Sequence, residues 1–466
     1  MTVSEFYDTI YLTDKIRKDL VMNKKNGLSA RNMVVLLLFG MMGQIAWAVE
    51  NMYFNLFVFE SIAPDLDTVT LMVQASGVVA TLITLIAGAL SDKTGNRRTF
   101  ISVGYIIWGV TVALFGFLSS DLVAKMTGLP VEQAIPIALV LAVVCDCVMT
   151  MFGSTSNDAA FSAWVTDNTE SSYRGKIEGI LAILPLLAML VVAGGFGILV
   201  GLIGYTNLFL GLGAVITLSG IGGLFLIRDS DRLEKNGGLR DMIYGFKPST
   251  VRANPTLYLA FVVVMIYGVA CQIFMPYMII YMTTYLEFTV VEYSIVFGAA
   301  ILIGAAINLY LTRLSDKLDK VKLLYFAAAT MSVGLIAMYF FKFGSHLFQL
   351  ISFGTAGCVM ITGYIFVSAL AGAIVRDHTP TVAAGKLQGI RMIFSVLIPM
   401  ILGPMIGNGI NRAANIPLPD ASSPDMMTTA YIPAPGIYLA AGITVLLLIG
   451  VLPILAKSQK KASAKS

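Results

Sequence analysis

The chain reads DNTESSYRGKIEGI from Asp167 to Ile180 and, 210 residues later, DHTPTVAAGKLQGI from Asp377 to Ile390. Six of the fourteen positions are identical without a gap: Asp167 with Asp377, Thr169 with Thr379, Gly175 with Gly385, Lys176 with Lys386, Gly179 with Gly389 and Ile180 with Ile390. A second echo pairs LSDKTGNRR from Leu90 with LSDKLDKVK from Leu314, 224 residues on. Two polar segments repeated in the same order point to an internal duplication. The 14-residue difference between the two offsets is absorbed by the longer segment Ser119 to Pro136 in the first half.

The surroundings of these segments decide what was duplicated. Of 466 residues, 57% are hydrophobic and only 12% charged, with a mean hydropathy of +0.82. A soluble chain of that composition would have more apolar surface than its cores can bury. Apolar runs such as Met33 to Phe59, Leu71 to Leu90, Phe100 to Leu118 and Ile177 to Val200 approach the ~20 residues that a helix needs to cross ~30 Å of hydrocarbon. Twelve such runs lie between polar breaks, so the expected fold is all-α and integral to the membrane, two parallel six-helix pseudo-repeats. The first run follows a charged stretch and is too long for a cleaved signal peptide.

Charge placement orients the bundle. With both termini cytoplasmic, 28 of the 31 Lys and Arg fall on cytoplasmic segments, and only Lys125, Lys342 and Arg412 lie outside. This is the positive-inside bias, and it accounts for the net charge of +4 without nucleic acid. The expected organisation is a cytoplasmic arm (1–32), a first half (33–227), a cytoplasmic linker (228–254), a second half (255–456) with an outer loop (411–436), and a cytoplasmic tail (457–466). Short loops and the lack of an organelle address suggest a bacterial plasma membrane, with the chain working as a monomer.

Ionisable residues inside a bilayer need a partner or a purpose, since an Asp at a helix centre costs roughly 2.5–3.5 kcal/mol on insertion scales. If helix 4 begins near Pro136, Asp146 lies about 15 Å deep, with Thr150, Gly153 and Asn157 following on one face. Asp146 is read as a proton- or cation-coupling acid, a structural hydrogen bond being the alternative; Glu50 is a second coupling candidate or an interfacial acid. In helix 1, Gln44, Asn51 and Asn55 fall within about 40° on a helical wheel, with Trp47 adjacent. Amides that donate and accept beside an indole face suit a polyol or sugar; glue between helices is the alternative. In the second half Tyr267, Gln272, Tyr277, Asn308, Thr362 and Tyr364 are cavity candidates, with Arg391 one turn into helix 11. Neither the two histidines, His346 and His378, nor the four cysteines are spaced for a metal site, and no nucleophile motif or phosphate-binding glycine loop stands out. An enzyme is not expected, and neither is a cofactor beyond a co-transported proton or sodium ion.

GALSDKTGNRR, Gly88 to Arg98, resembles the G-x-x-x-D-R/K-x-G-x-R/K-R/K signature between helices 2 and 3 of the major facilitator superfamily, matching at Gly88, Asp92, Lys93, Gly95, Arg97 and Arg98. The resemblance implies that fold, a substrate site between the halves, and cytoplasmic loops that fasten the halves in one conformation. Asp92 would then meet a helix amino terminus of the opposite half, and Arg97 and Arg98 would pair with carboxylates such as Asp167. Arg174, Lys176, Asp377 and Lys386 complete the expected cytoplasmic gate; mere topology anchors are the alternative. NDAAFSAWVTDNTESSYRG, Asn157 to Gly175, resembles the end of helix 4 in the glycoside-pentoside-hexuronide:cation symporters, the melibiose-permease-like branch. On that match Asp158, beside Asn157, takes the place of a sugar-binding acid and Trp164 that of a nearby aromatic. That branch builds its cation site from acids on helix 2, whereas Leu71 to Leu90 has none. The expected function is secondary active transport of a small polar solute, a sugar or glycoside, by alternating access; a lipid or amphipathic drug carrier of the same fold is the alternative.

Overall fold

The structure is a computed structural model of the full chain; residues 28–169, 173–230, 244–315, 319–380, 387–419 and 427–463 are described. Among them, eleven continuous helical stretches are long and apolar enough to span a bilayer. They form α1 (Ala30–Ser61), α2 (Leu66–Thr94), α3 (Arg97–Phe115), α4 (Val131–Asn168), α5 and α6 together, α7 (Pro255–Tyr285), α8 (Val290–Leu311), α9 (Lys320–Met338), α10 (His346–His378), α11 (Gln388–Ala414) and α12 (Gly436–Lys461). The expected count of twelve is recovered within the stretch Gly179–Leu226. Its 48 residues would make a rod of about 72 Å, over twice the hydrocarbon thickness. Gly204, at φ 77° and ψ 166°, breaks that rod in a backbone region that glycine alone enters cheaply. It divides α5 (174–203) from α6 (205–226).

Local signals set the other boundaries. Gly95 ends α2 in the left-handed region (φ 66°), and the Asn96 side chain caps α3 by accepting from the Thr99 amide. Ser29, Asp65, Asp319 and Ser345 cap α1, α2, α9 and α10 in the same manner, each satisfying an amide that the first helical turn leaves free. Helix α4 begins at Val131, five residues before its expected start, because Pro130 at its cap and Pro136 inside the first turns are both tolerated there.

Close packing relies on small residues, as it must where lipid gives no hydrophobic drive between helices. A β-carbon on Gly213 would collide with the Gly109 carbonyl, so these two glycines let α6 press onto α3. Gly334 against the Met360 backbone and Gly363 against the Met331 backbone do the same for α9 and α10. The halves meet along α2–α11, α5–α8 and α1–α7. The loop between α11 and α12 is a hairpin: β1 (Ile416–Pro419) pairs antiparallel with β2 (Met427–Ile432), Ile416 opposite Ile432. Among the described residues, five segments widen to π-helix: Glu50–Phe54, Ser154–Phe161, Val192–Phe196, Tyr281–Tyr285 and Ile393–Leu397.

Candidate functional site

Three acids of the first half are gathered between α1 and α4. Glu50 opens the π-helical turn of α1, and its Oε1 accepts from Thr150 Oγ1 at 2.8 Å. Asp146 lies one turn before Thr150 on α4, with Ser76 of α2 beside it. Glu50 is close enough to interact electrostatically with both Asp146 and Asp158. Asp158 accepts from Ser154 at 3.2 Å within the π-helical segment of α4. The sequence between Arg31 and Lys93 and between Lys125 and Arg174 contains no basic residue, so no cation on these helices neutralises the group. Glu50 Oε2 and Asp146 Oδ1 are buried without a hydrogen-bond partner, and the indole nitrogen of Trp47 faces Asp158 without closing a hydrogen bond to it. Buried polar atoms are nearly always partnered, and three such orphans together mark a place built to receive something. π-Helical turns recur at such places. Among the described residues, no group of three or more His, Cys, Asp or Glu converges tightly enough to hold a metal ion.

The expected polar stripe on helix 1 divides in two. Asn51 donates to the Trp47 carbonyl at 2.8 Å and Asn55 to the Asn51 carbonyl at 2.9 Å. Both amides thus serve carbonyls around the widened turn, leaving mainly their oxygens for other partners. Gln44, Trp47 and Asp158 remain half-buried. Asn157 is a packing residue: it accepts from Tyr105 Oη at 3.1 Å and fills the notch of Gly43, where a β-carbon would lie 2.5 Å from its Oδ1. Trp164 is fully buried, stacked on Phe161 and donates to the Arg228 carbonyl at 2.8 Å. It ties the end of α4 to the linker.

In the second half Tyr267 and Tyr364 pair across α7 and α10 with ring centroids 5.5 Å apart. Gln272 is half-buried against Gly403 of α11. Asn308 and Thr362 join α8 to α10, Asn308 donating to the Thr362 carbonyl at 2.9 Å, and Arg391 is exposed.

In the basic loops the expected pairing of Arg97 with Asp167 is present. Arg97 is the buried centre of a network with Asp92, Ser91 and Asp167, the last at 3.0 Å. All four belong to the first half, and among the described residues Asp92 pairs with Arg97. Arg98 donates to Asp229 and the Leu224 carbonyl, again on the side of the first half. In the second half Lys320 and Asp377 pair at 2.5 Å. Each repeated Asp therefore ties the end of the fourth helix of its half to the start of the third. Gly88 faces open space, with nothing within 4 Å of where a β-carbon would stand, and Gly95 makes the α2–α3 turn. Gly175 continues the helix that starts at Arg174; the side chains of Arg174 and Lys176, and all of Lys386, lie outside the described residues.

Among the described residues, direct bonds between halves cluster at the opposite end. Asp67, at the start of α2, receives Asn408 Nδ2 at 2.6 Å, Arg412 at 2.7 Å and Tyr431 Oη at 2.8 Å, all on Oδ1. One turn deeper Thr70 and Tyr277 share a hydrogen bond of 2.7 Å, and Gln74 donates to the Ile401 carbonyl at 3.0 Å. Met400 fills the notch at Gly77. Nothing in the sequence points to Asp67; an acid in the first turn of a helix reads as ordinary capping.

The family model of the Major Facilitator Superfamily matches residues 34–404. Among solved structures, the nucleoside transporter NupG and a point mutant of it share the fold, with TM-scores of 0.62 and 0.65. Each is 12% identical; the alignments cover 92% and 91% of this chain and 99% of theirs. Among curated proteins, none matches the sequence. The chain belongs to the major facilitator superfamily: it is a multi-pass membrane transporter of small solutes and not an enzyme.

Proposed function

We propose that the protein is a cation-coupled carrier, a proton being the favoured ion, for a small polyhydroxylated solute of the sugar or glycoside class. The observation that carries this reading is the grouping of Glu50, Asp146 and Asp158 around unpartnered oxygens, with no basic residue between Arg31 and Lys93 or between Lys125 and Arg174. A proton taken up by either Glu50 or Asp146 would give the pair the donor that it lacks, and its release would remove that donor. Gln44, Trp47 and Asp158 supply the acceptors, donors and flat apolar face that sugar hydroxyls and ring carbons require. The bonds around Asp67 fit a carrier closed at the end remote from its basic loops. With the orientation expected from charge, that is closure to the outside of a plasma membrane, both termini cytoplasmic.

A nucleoside is the second reading, favoured by the likeness to NupG over nearly the whole of both chains. It combines ribose hydroxyls with a flat base, for which Tyr267 and Tyr364 offer aromatic rings. Uptake of labelled glycosides and nucleosides into proteoliposomes, under an imposed proton gradient, a sodium gradient or neither, tests both. Proton-driven glycoside accumulation supports the first reading. Accumulation of nucleosides alone overturns its substrate class, and accumulation with sodium alone overturns its ion.

A further inference from the structure

Between α9 and α10 the helices part on the side remote from the basic loops. They touch backbone to backbone at Gly334 and Gly363, and beyond Gly334 the small side chains of Ala337, Ser352 and Ala356 leave a crevice of about 370 Å³. Val333 and Ile351, 61% and 60% exposed, stand at its lips, so it opens toward lipid and away from the interface of the halves. The Ser352 and Thr355 hydroxyls turn back to the carbonyls of Phe348 and Ile351, at 2.6 and 2.7 Å. With those hydroxyls spent, the walls are apolar and a polar solute has nothing to bind.

We propose that this crevice holds one phospholipid, an acyl chain lying in it and the headgroup phosphate meeting Lys342. Residues 351–359 run for about 12 Å along α10, close to the roughly 15 Å depth of one leaflet's hydrocarbon. A helix, about 10 Å across, requires a wider trough. Lys342 follows directly on Phe341, which lines the crevice, and its Nζ stands 4.0 Å from the centre of the Tyr285 ring. Its charge thus rests on an aromatic face and is available to a phosphate. The acid in the first turn of α8, Glu292, is engaged by Thr289 and His346. Phe343 and Phe348, both exposed, lie ring to ring beside Phe341 and extend the apolar wall past the mouth.

Native mass spectrometry of the full chain in mild detergent, supplied with phosphatidylglycerol, tests this. The wild type is expected to keep one lipid per chain. Filling the crevice with Ser352→Phe and Ala356→Leu should weaken retention roughly tenfold, the consequence of displacing even two buried methylenes, and Lys342→Glu should weaken it while leaving the crevice intact. Equal retention by the filled variant, or none by the wild type, overturns the proposal. A phospholipid carrying a photoreactive acyl chain, used on the unaltered protein in nanodiscs, gives a reading independent of variant folding. Adducts concentrated on 333–341 and 351–359 support the site; adducts spread evenly over the lipid-facing helices overturn it.

Discussion

Asp146, Glu50 and Asp158 differ in how far the sequence reveals them. An acid deep in an apolar run stands out because the bilayer makes it costly, so Asp146 can be singled out from the sequence alone. That Glu50 and Asp158 join it cannot, because their meeting depends on two widened turns, Glu50–Phe54 and Ser154–Phe161, that shift the phase of both helices. A wheel drawn at 100° per residue does not carry its phase across those turns, and Asn157 packs against Tyr105 and Gly43. Gly43→Val puts side-chain atoms into Asn157 and should destabilise the fold by about 1–3 kcal/mol, seen as a lower melting temperature in detergent; an unchanged melting point contradicts the packing role. Arg97→Met leaves Asp92 and Asp167 without their shared cation and should cost about 1–3 kcal/mol. In the same melting assay Arg97→Lys should rescue only in part, because an ammonium lacks the guanidinium fork.

Among elements, the apolar runs identify the helices and the repeated polar segments identify the halves. The break between α5 and α6 rests on one glycine, Gly204, in a run with no charged residue from 179 to 227. That is why one helical run of 48 residues stands where the hydropathy pattern counts two. The outer loop 411–436 reads as a loop, yet β1 and β2 pair within it, and β2 places Tyr431 on Asp67. The signature between helices 2 and 3 locates the basic loop, and the expected pairing of Arg97 with Asp167 is present; that Arg97 also holds Asp92 is not legible from it. Spacing tells which residues sit at a helix end, whereas the choice between a carboxylate in the same half and one in the other is tertiary. Asp92→Asn should slow solute flux by loosening Arg97 while the protein stays in the membrane; wild-type flux in that variant removes Asp92 from the transport cycle.

The two ends of the molecule are unlike. Asp67 joins the halves at one end, and the described ion pairs of the basic loops act within each half. Asp67→Asn removes the charge on which Asn408, Arg412 and Tyr431 converge, so it should favour opening at that end. A cysteine placed at Thr70 should then react several-fold faster with an impermeant maleimide, and an unaltered rate contradicts the closure. If the acid group of the first half couples solute to a cation while the halves alternate, removing its deepest charge must separate movement of solute from its concentration. Solute accumulation in proteoliposomes under a proton gradient, wild type beside Asp146→Asn, with solute exchange followed in the same vesicles, puts this to the test. The variant is expected to exchange solute but no longer to concentrate it; concentration equal to that of the wild type would contradict coupling through this group.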